Sequence, residues 1–375
     1  MVCIAPRLRH LLTPVVPGLL LVFSIALASV LVADVTGTVL LGYDRTPISS
    51  VMVALIAGVA VANTARVSAR YENGVAFAAT RLLKLGVVLL GFRLSLHAAA
   101  TAGLFAIPIV ATTVLFALAV VVVASRLMRV PGRLGALIGV GTAICGVSAI
   151  VATAPLIRAH EEEVGYAVAT VTLFGLAATI AYPFLAHLLF RGAPLHVGRW
   201  LGTAIHDTSQ VTGAALVYRE AYGATGMLDT AIVTKLLRNT LMVVLVPAAG
   251  LLSARLNRPV SETVESAPHL LRRIITAFPT FVLWFLLLSL LRTLGDSSLT
   301  STGRALWVLE QSHWMGIASV LETSAVFLLV SALAGVGLRT NIRTLSRLGF
   351  RPIAVGLIAA AAAGVASAAA ILAFS

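Results

Sequence analysis

The sequence predicts an all-α, polytopic membrane protein, and three observations carry the prediction. Of its 375 residues, 59% are hydrophobic and only 11% charged, and the mean hydropathy is +1.02, whereas about a quarter of an ordinary soluble domain is charged. The apolar residues gather into eleven runs, most of them long enough for a helix to cross about 30 Å of hydrocarbon. The 27 Lys and Arg outnumber the 14 Asp and Glu and fall mainly in the short loops between those runs, where they set membrane orientation. In a soluble chain that balance would suggest nucleic acid; here the expected partner is the lipid bilayer, with no nucleic acid.

The candidate spans, in order, are 15–33, 47–62, 74–92, 104–124, 134–157, 164–189, 200–218, 228–251, 274–291, 314–336 and 352–374, within one transmembrane domain covering 1–375. The first follows Arg7 and Arg9 and contains Ala26-Leu27-Ala28, features shared with cleavable leaders. With ten more spans behind it, it reads as an uncleaved helix. The 47–62 run is short and suits a tilted or re-entrant piece. The N-terminus and the loops after even-numbered spans hold 17 Lys and Arg, and the loops after odd-numbered spans hold six. That asymmetry puts the N-terminus in the cytoplasm and the C-terminus on the opposite side. The two cysteines, Cys3 and Cys145, make neither a disulfide framework nor a metal site.

Two stretches recur. GFRLSL at 91–96 and GLRTNI at 337–342 each end a span, and each has a glycine, Gly103 or Gly349, ten residues beyond its arginine. Seven spans separate them, and an odd number gives the copies opposite orientation, as in transporters built from inverted repeats. GTAICGVSAIVATAPLIR at 141–158 matches GTAIHDTSQVTGAALVYR at 202–219 at seven of 18 positions without a gap. Chance likeness between small-residue helices competes with both echoes, less well with the second, which matches polar residues too.

Polar groups are costly inside hydrocarbon, so those within spans face a cavity or a partner. Span 5 carries Thr142, Cys145, Gly146 and Ser148 behind Gly135, Gly139 and Gly141. So much glycine either lets helices pack closely or marks a discontinuous helix, whose second half begins with free N–H groups suited to an anion. Span 7 carries His206, Asp207, Thr208, Ser209, Gln210 and Thr212. On a continuous helix His206 shares a face with Ser209 and Gln210, and Asp207 points elsewhere. A substrate surface with a titratable pair and a buried hydrogen-bond network are the competing readings. In span 8, Lys235, Arg238 and Asn239 project from one side, and two cations there call for Asp207 or a bound anion as partner. Arg81 and Lys84 lie near the end of span 3, where long side chains snorkel. Glu322, inside span 10, would partner a cation elsewhere, and Glu161-Glu162-Glu163 reads as a solvated run.

No phosphate-cradling glycine motif, nucleotide fingerprint or H-E-x-x-H motif occurs, and His160, His187 and His196 lack metal-ligand spacing. ATP-driven pumping, zinc chemistry and a resident cofactor are therefore unsupported, which leaves an uncoupled or ion-coupled carrier.

The stretches RLLKLGVVLLGFRLSL (81–96), GTAICGVSAIVATAPLIRAHEEEV (141–164), VTLFGLAATIAYPFLAHLL (171–189), AIHDTSQVTGAA (204–215) and VTKLLR (233–238) resemble the YeiH family of bacterial inner-membrane proteins, from about span 2 to the C-terminus. Members of that family are labelled sulfate exporters and grouped with cation/proton-antiporter and anion-transporter folds. The resemblance implies a multi-pass inner-membrane secondary transporter, not an enzyme, exporting a small oxyanion such as sulfate or sulfite. It puts Cys145, Gly146, Ser148, His206, Asp207, Ser209, Gln210 and Lys235 on the family's signature positions. This chain departs at Val147 and Val151, where small residues are usual, and at Glu322, where a basic or neutral residue is.

The expected substrate site comprises Thr142, Cys145, Gly146, Ser148, His206, Asp207, Ser209, Gln210, Lys235 and Arg238. Backbone N–H groups and the hydroxyls of Ser148 and Ser209 would bind the oxyanion, Lys235 would supply counter-charge, and His206 with Asp207 would couple a proton. One alternative is a cation/proton exchanger using Asp207. Another is an intramembrane enzyme with Cys145 or Ser148 as nucleophile and His206 as base. Homo-oligomerisation is compatible with all three.

Overall fold

The computed structural model describes residues 14–40, 49–65, 67–224, 226–256, 280–340 and 349–374. Cys3, Arg7, Arg9, most of the basic loop after span 8, residues 274–279 of span 9, Asn341 and Ile342 of the first echo and Ser375 lie outside them. Among the described residues, regular structure is helical apart from an isolated bridge between Ala305 and Leu309.

In chain order the helices are α1 (Val16–Asp34), α2 (Ser50–Thr64), α3 (Ala69–Arg93), α4 (Leu96–Leu127), α5 (Gly132–Ala143), α6 (Val147–Thr153) and α7 (Glu161–Phe190). They continue with α8 (Pro194–Ala204), α9 (Thr208–Tyr222), α10 (Met227–Thr240), α11 (Met242–Leu256), α12 (Phe281–Thr302), α13 (Gln311–Leu338) and α14 (Phe350–Phe374). Eight stretches among the described residues are long and apolar enough to cross a membrane. They fall on spans 1, 3, 4, 6, 8, 9, 10 and 11, with α10 and α11 jointly making span 8. The shorter α2 occupies span 2, while spans 5 and 7 are each divided into two short helices. Large apolar side chains such as Leu20, Leu104, Leu115, Leu188, Val244 and Leu372 stand exposed, as hydrocarbon contact requires. The protein is a polytopic membrane protein.

The helices form two compact units, each assembled from three stretches of chain. Unit 1 takes Met1–Ala99, Thr212–Asp229 and Phe281–Arg343, and unit 2 takes Ala100–Val211, Thr230–Thr280 and Thr344–Ser375. Three of the divisions fall inside α4, α9 and α10, so no cut of the sequence separates the units.

In unit 1, α13 lies along α2 and α3. The approach is close because Gly58 faces the Ala334 carbonyl and Gly337 faces the Leu55 carbonyl, where any Cβ would strike backbone. Gly18 of α1 and Gly74 of α3 meet in the same way. Between helices in lipid, where apolar burial gives little drive, such contact between small residues supplies the packing. Glu322 finds its cations here: Arg93 Nη1 lies 2.5 Å and Arg219 Nη1 2.9 Å from its Oε1, and Arg93 Nε lies 3.4 Å from Asp229.

In unit 2, α5 packs on α7 and α14, and α8 on α14, around buried Leu137, Ile138, Ile150, Val171 and Val355. The indole N–H of Trp200 donates to the Gly364 carbonyl at 2.9 Å, and the Thr203 and Ser367 hydroxyls are bonded to each other. Glu161, Glu162 and Glu163 form the acidic first turn of α7, where the His160 N–H donates to Glu163 Oε2 at 2.8 Å.

Candidate functional site

Spans 5 and 7 both break in unit 2, at corresponding residues of the second echo. α5 ends at Ala143 and α6 starts at Val147; α8 ends at Ala204 and α9 starts at Thr208. Ile144, Cys145 and Gly146 leave helical geometry in the first copy, as Ile205, His206 and Asp207 do in the second. Gly146 takes φ +69° with ψ −127°, a region that side chains rarely adopt.

The break revises the helical-face geometry expected for span 7. His206 and Asp207 precede α9 rather than riding on it, because Asp207 caps it. The Ser209 N–H donates to Asp207 Oδ1 at 2.8 Å, the Ser209 hydroxyl donates to the same oxygen, and the Asp207 N–H donates to Gln210 Oε1 at 3.2 Å. This is a reciprocal capping box with glutamine as its third helical residue, which starts a helix at Thr208 irrespective of what precedes it. Gln210 Nε2 also donates to the Thr172 carbonyl of α7 at 3.4 Å. The carboxamide fits there because Gly175 lacks a side chain.

Carbonyls at the ends of α5 and α8 have lost their helical partners, and α10 replaces them. Lys235 and Arg238 are 0% and 1% exposed, one turn apart. Lys235 Nζ donates to the carbonyls of Ile144 at 2.9 Å, Ile205 at 3.1 Å and His206. Arg238 donates from Nε to Ala143 at 2.8 Å, from Nη1 to Ile205 at 3.0 Å and to Thr203, and from Nη2 to Thr142, in each case to the carbonyl oxygen. Both cations thus rest on backbone oxygens at the negative ends of two half-helices, and among the described residues neither makes the ion pair with Asp207 expected from sequence. All three ammonium protons of Lys235 are engaged, so it has no donor left for a cargo.

Asn239 Nδ2 donates to Thr208 Oγ1 at 3.0 Å. Asn239 Oδ1, Thr142 Oγ1, Thr234 Oγ1 and His206 Nδ1 are buried without a partner among the described residues. Cys145 is buried with its Sγ 3.6 Å from Met242 Sδ, while Ser148 is exposed on the first turn of α6. Among the described residues no hydrogen bond joins either one to His206, and no group of His, Cys, Asp and Glu could hold a metal ion.

Sequence reasoning missed the roles of Arg219 and Asp229 in unit 1. By its place in the sequence Arg219 is one more cation between spans 7 and 8, although it closes the second echo where Arg158 closes the first.

A family described as conserved hypothetical protein 698 matches residues 17–356. The UPF0324 membrane protein FN0533 of Fusobacterium nucleatum is 31% identical over 309 residues, 80% of this chain and 84% of the relative. The UPF0324 membrane protein SAG1125 of Streptococcus agalactiae is 32% identical over 343 residues, 91% and 92% of the two chains. The UPF0324 membrane protein spr0034 of Streptococcus pneumoniae is 31% identical over 294 residues, 76% and 78%.

Proposed function

Since the chain belongs to the conserved hypothetical protein 698 family of UPF0324, YeiH-like membrane proteins, we propose that it is an inner-membrane secondary transporter exporting a small oxyanion, sulfate or sulfite, through unit 2 together with protons. One observation carries the reading: two buried cations, Lys235 and Arg238, stand in the site with one carboxylate, Asp207. The side chains leave a positive charge in excess where water is scarce, and a bound anion neutralises it.

The two cations act through their charge, because the donors of Lys235 and most of those of Arg238 are spent on carbonyls. Contact with the cargo falls to the N–H and hydroxyl of Ser209 in the first turn of α9, the two groups that Asp207 Oδ1 now occupies. Protonating Asp207 weakens its hold on them and raises the excess positive charge by one unit, which suits a dianion. The proton and the oxyanion then arrive together. His206, next to Asp207 in the chain and with Nδ1 unpaired among the described residues, would pass that proton.

A cation/proton exchanger is the second reading, favoured by the fact that Asp207 makes no ion pair among the described residues. Liposomes containing the purified protein, loaded in turn with labelled sulfate, sulfite or sodium, with and without a pH gradient, separate the two. Anion flux driven by the gradient supports the first reading, and sodium flux without anion flux refutes it.

A further inference from the structure

Unit 1 holds a cavity of about 260 Å³ lined by Arg93, Arg292 and Glu322 with Leu89, Phe92 and Met315. Arg93 ends α3, Arg292 belongs to α12, and Glu322 to the first half of α13. The basic-loop count places this end of the helices away from the cytoplasm. The volume falls just below the range that holds drug-sized ligands, so an occupant is a small molecule.

The lining groups are only partly spent. Arg292 donates from Nε to Asp296 Oδ2 at 2.7 Å, and its guanidinium carbon stands 5.8 Å from the ring centres of both Phe92 and Trp314. Its Nη1 and Nη2 make no hydrogen bond among the described residues. Glu322 accepts Arg93 and Arg219 on one oxygen, Oε1, and Oε2 accepts none among the described residues. The cavity therefore offers an open guanidinium edge, an open carboxylate oxygen and an apolar wall.

Charge decides what fits. Arg93, Arg219 and Arg292 are matched by Asp229, Glu322 and Asp296, so this cluster is neutral, unlike the region around Lys235. A simple anion or cation would enter without uncompensated counter-charge. A molecule carrying both signs matches both open groups at once, and charge-assisted hydrogen bonds of this type are the strong ones.

We propose that this cavity binds a small amino acid as its zwitterion, with the carboxylate on the Arg292 fork, the ammonium on Glu322 Oε2 and an apolar side chain against Leu89, Phe92 and Met315. The proposal does not rest on the oxyanion reading, since sulfate flux and amino-acid binding can fail separately. The test is calorimetric titration of the purified full chain in detergent with L-valine, isovalerate (no ammonium), isobutylamine (no carboxylate) and sulfate. L-Valine should bind saturably, and each analogue about tenfold more weakly or worse, a loss of about 1.4 kcal/mol. Arg292→Gln and Glu322→Gln should each abolish the L-valine signal. Ser319→Trp, which fills an exposed position of the cavity wall with every ion pair intact, should abolish it too while leaving thermal stability unchanged. Absence of L-valine binding, isovalerate binding as tightly as L-valine, or L-valine binding unaltered by Ser319→Trp overturns the proposal.

Discussion

The ammonium of Lys235 lies 2.9 Å from the carbonyl oxygen of Ile144, the residue at which α5 gives way. The same nitrogen reaches the carbonyl of Ile205 at 3.1 Å, the matching residue of the other break. One side chain thus closes both ends. Lys235→Ala strips the Ile144 and His206 carbonyls of their donor and leaves Ile205 to Arg238 alone, and it is expected to cost on the order of 2 kcal/mol or more, read as a fall in the unfolding temperature in detergent. A wild-type melting curve would return Lys235 to the role of cargo ligand.

Asp207→Asn should fold normally, because asparagine caps a helix as well as aspartate does. Asp207→Ala should lose about 1 kcal/mol. Since no ion pair links Asp207 to Lys235, combining Asp207→Asn with Lys235→Ala should be no more stable than Lys235→Ala alone. On the oxyanion reading, Asp207→Asn retains anion binding but its dependence on pH disappears. Ligand-dependent thermal shifts measured from acid to alkaline pH check both points.

Gly146→Ala tests the first break. A Cβ there would sit 3.3 Å from Asp207 Cβ, on a backbone with φ +69°. The backbone conformation alone costs a side chain about 1–3 kcal/mol, so the variant should melt earlier and move less labelled anion in liposomes.

Cys145→Ser separates carrier from enzyme. The thiol is held by Met242 Sδ and by the backbone of Ala149, contacts that a serine hydroxyl can largely replace, so the variant should keep most of its anion flux. Loss by orders of magnitude in a protein that still inserts normally would instead indicate a covalent nucleophile.

Orientation can be read with reporters. A fusion within residues 253–273, between spans 8 and 9 of the sequence, should behave as cytoplasmic and one after Ser375 as external, from the basic-loop asymmetry. Finding both on one side contradicts the odd span count.

The long helices were legible because apolar run length is a local property. The breaks were half legible: the glycines around Thr142 pointed to discontinuity, and the polar cluster from His206 to Thr212 marked span 7, yet the face arithmetic there assumed a continuous helix. What hid the break was the capping box of Asp207 and Gln210, which uses residues equally at home in a buried network. The partners of Lys235 and Arg238 were invisible for a different reason, since backbone carbonyls have no signature in sequence. Arg93 and Glu322 pair across 229 residues, and Arg219 and Glu322 across 103; hydropathy carries no information about such pairings. The two units escaped notice because each is stitched from three stretches.

The bonds from Trp200 to Gly364 and from Thr203 to Ser367 each span 164 residues. At a translation rate of about 5–20 residues per second, α8 leaves the ribosome roughly ten to thirty seconds before the segment of α14 that receives it. For that interval the Trp200 indole and the Thr203 hydroxyl lack the partners that the folded protein gives them. The contacts of α8 in unit 2 are therefore completed only once α14 has been made.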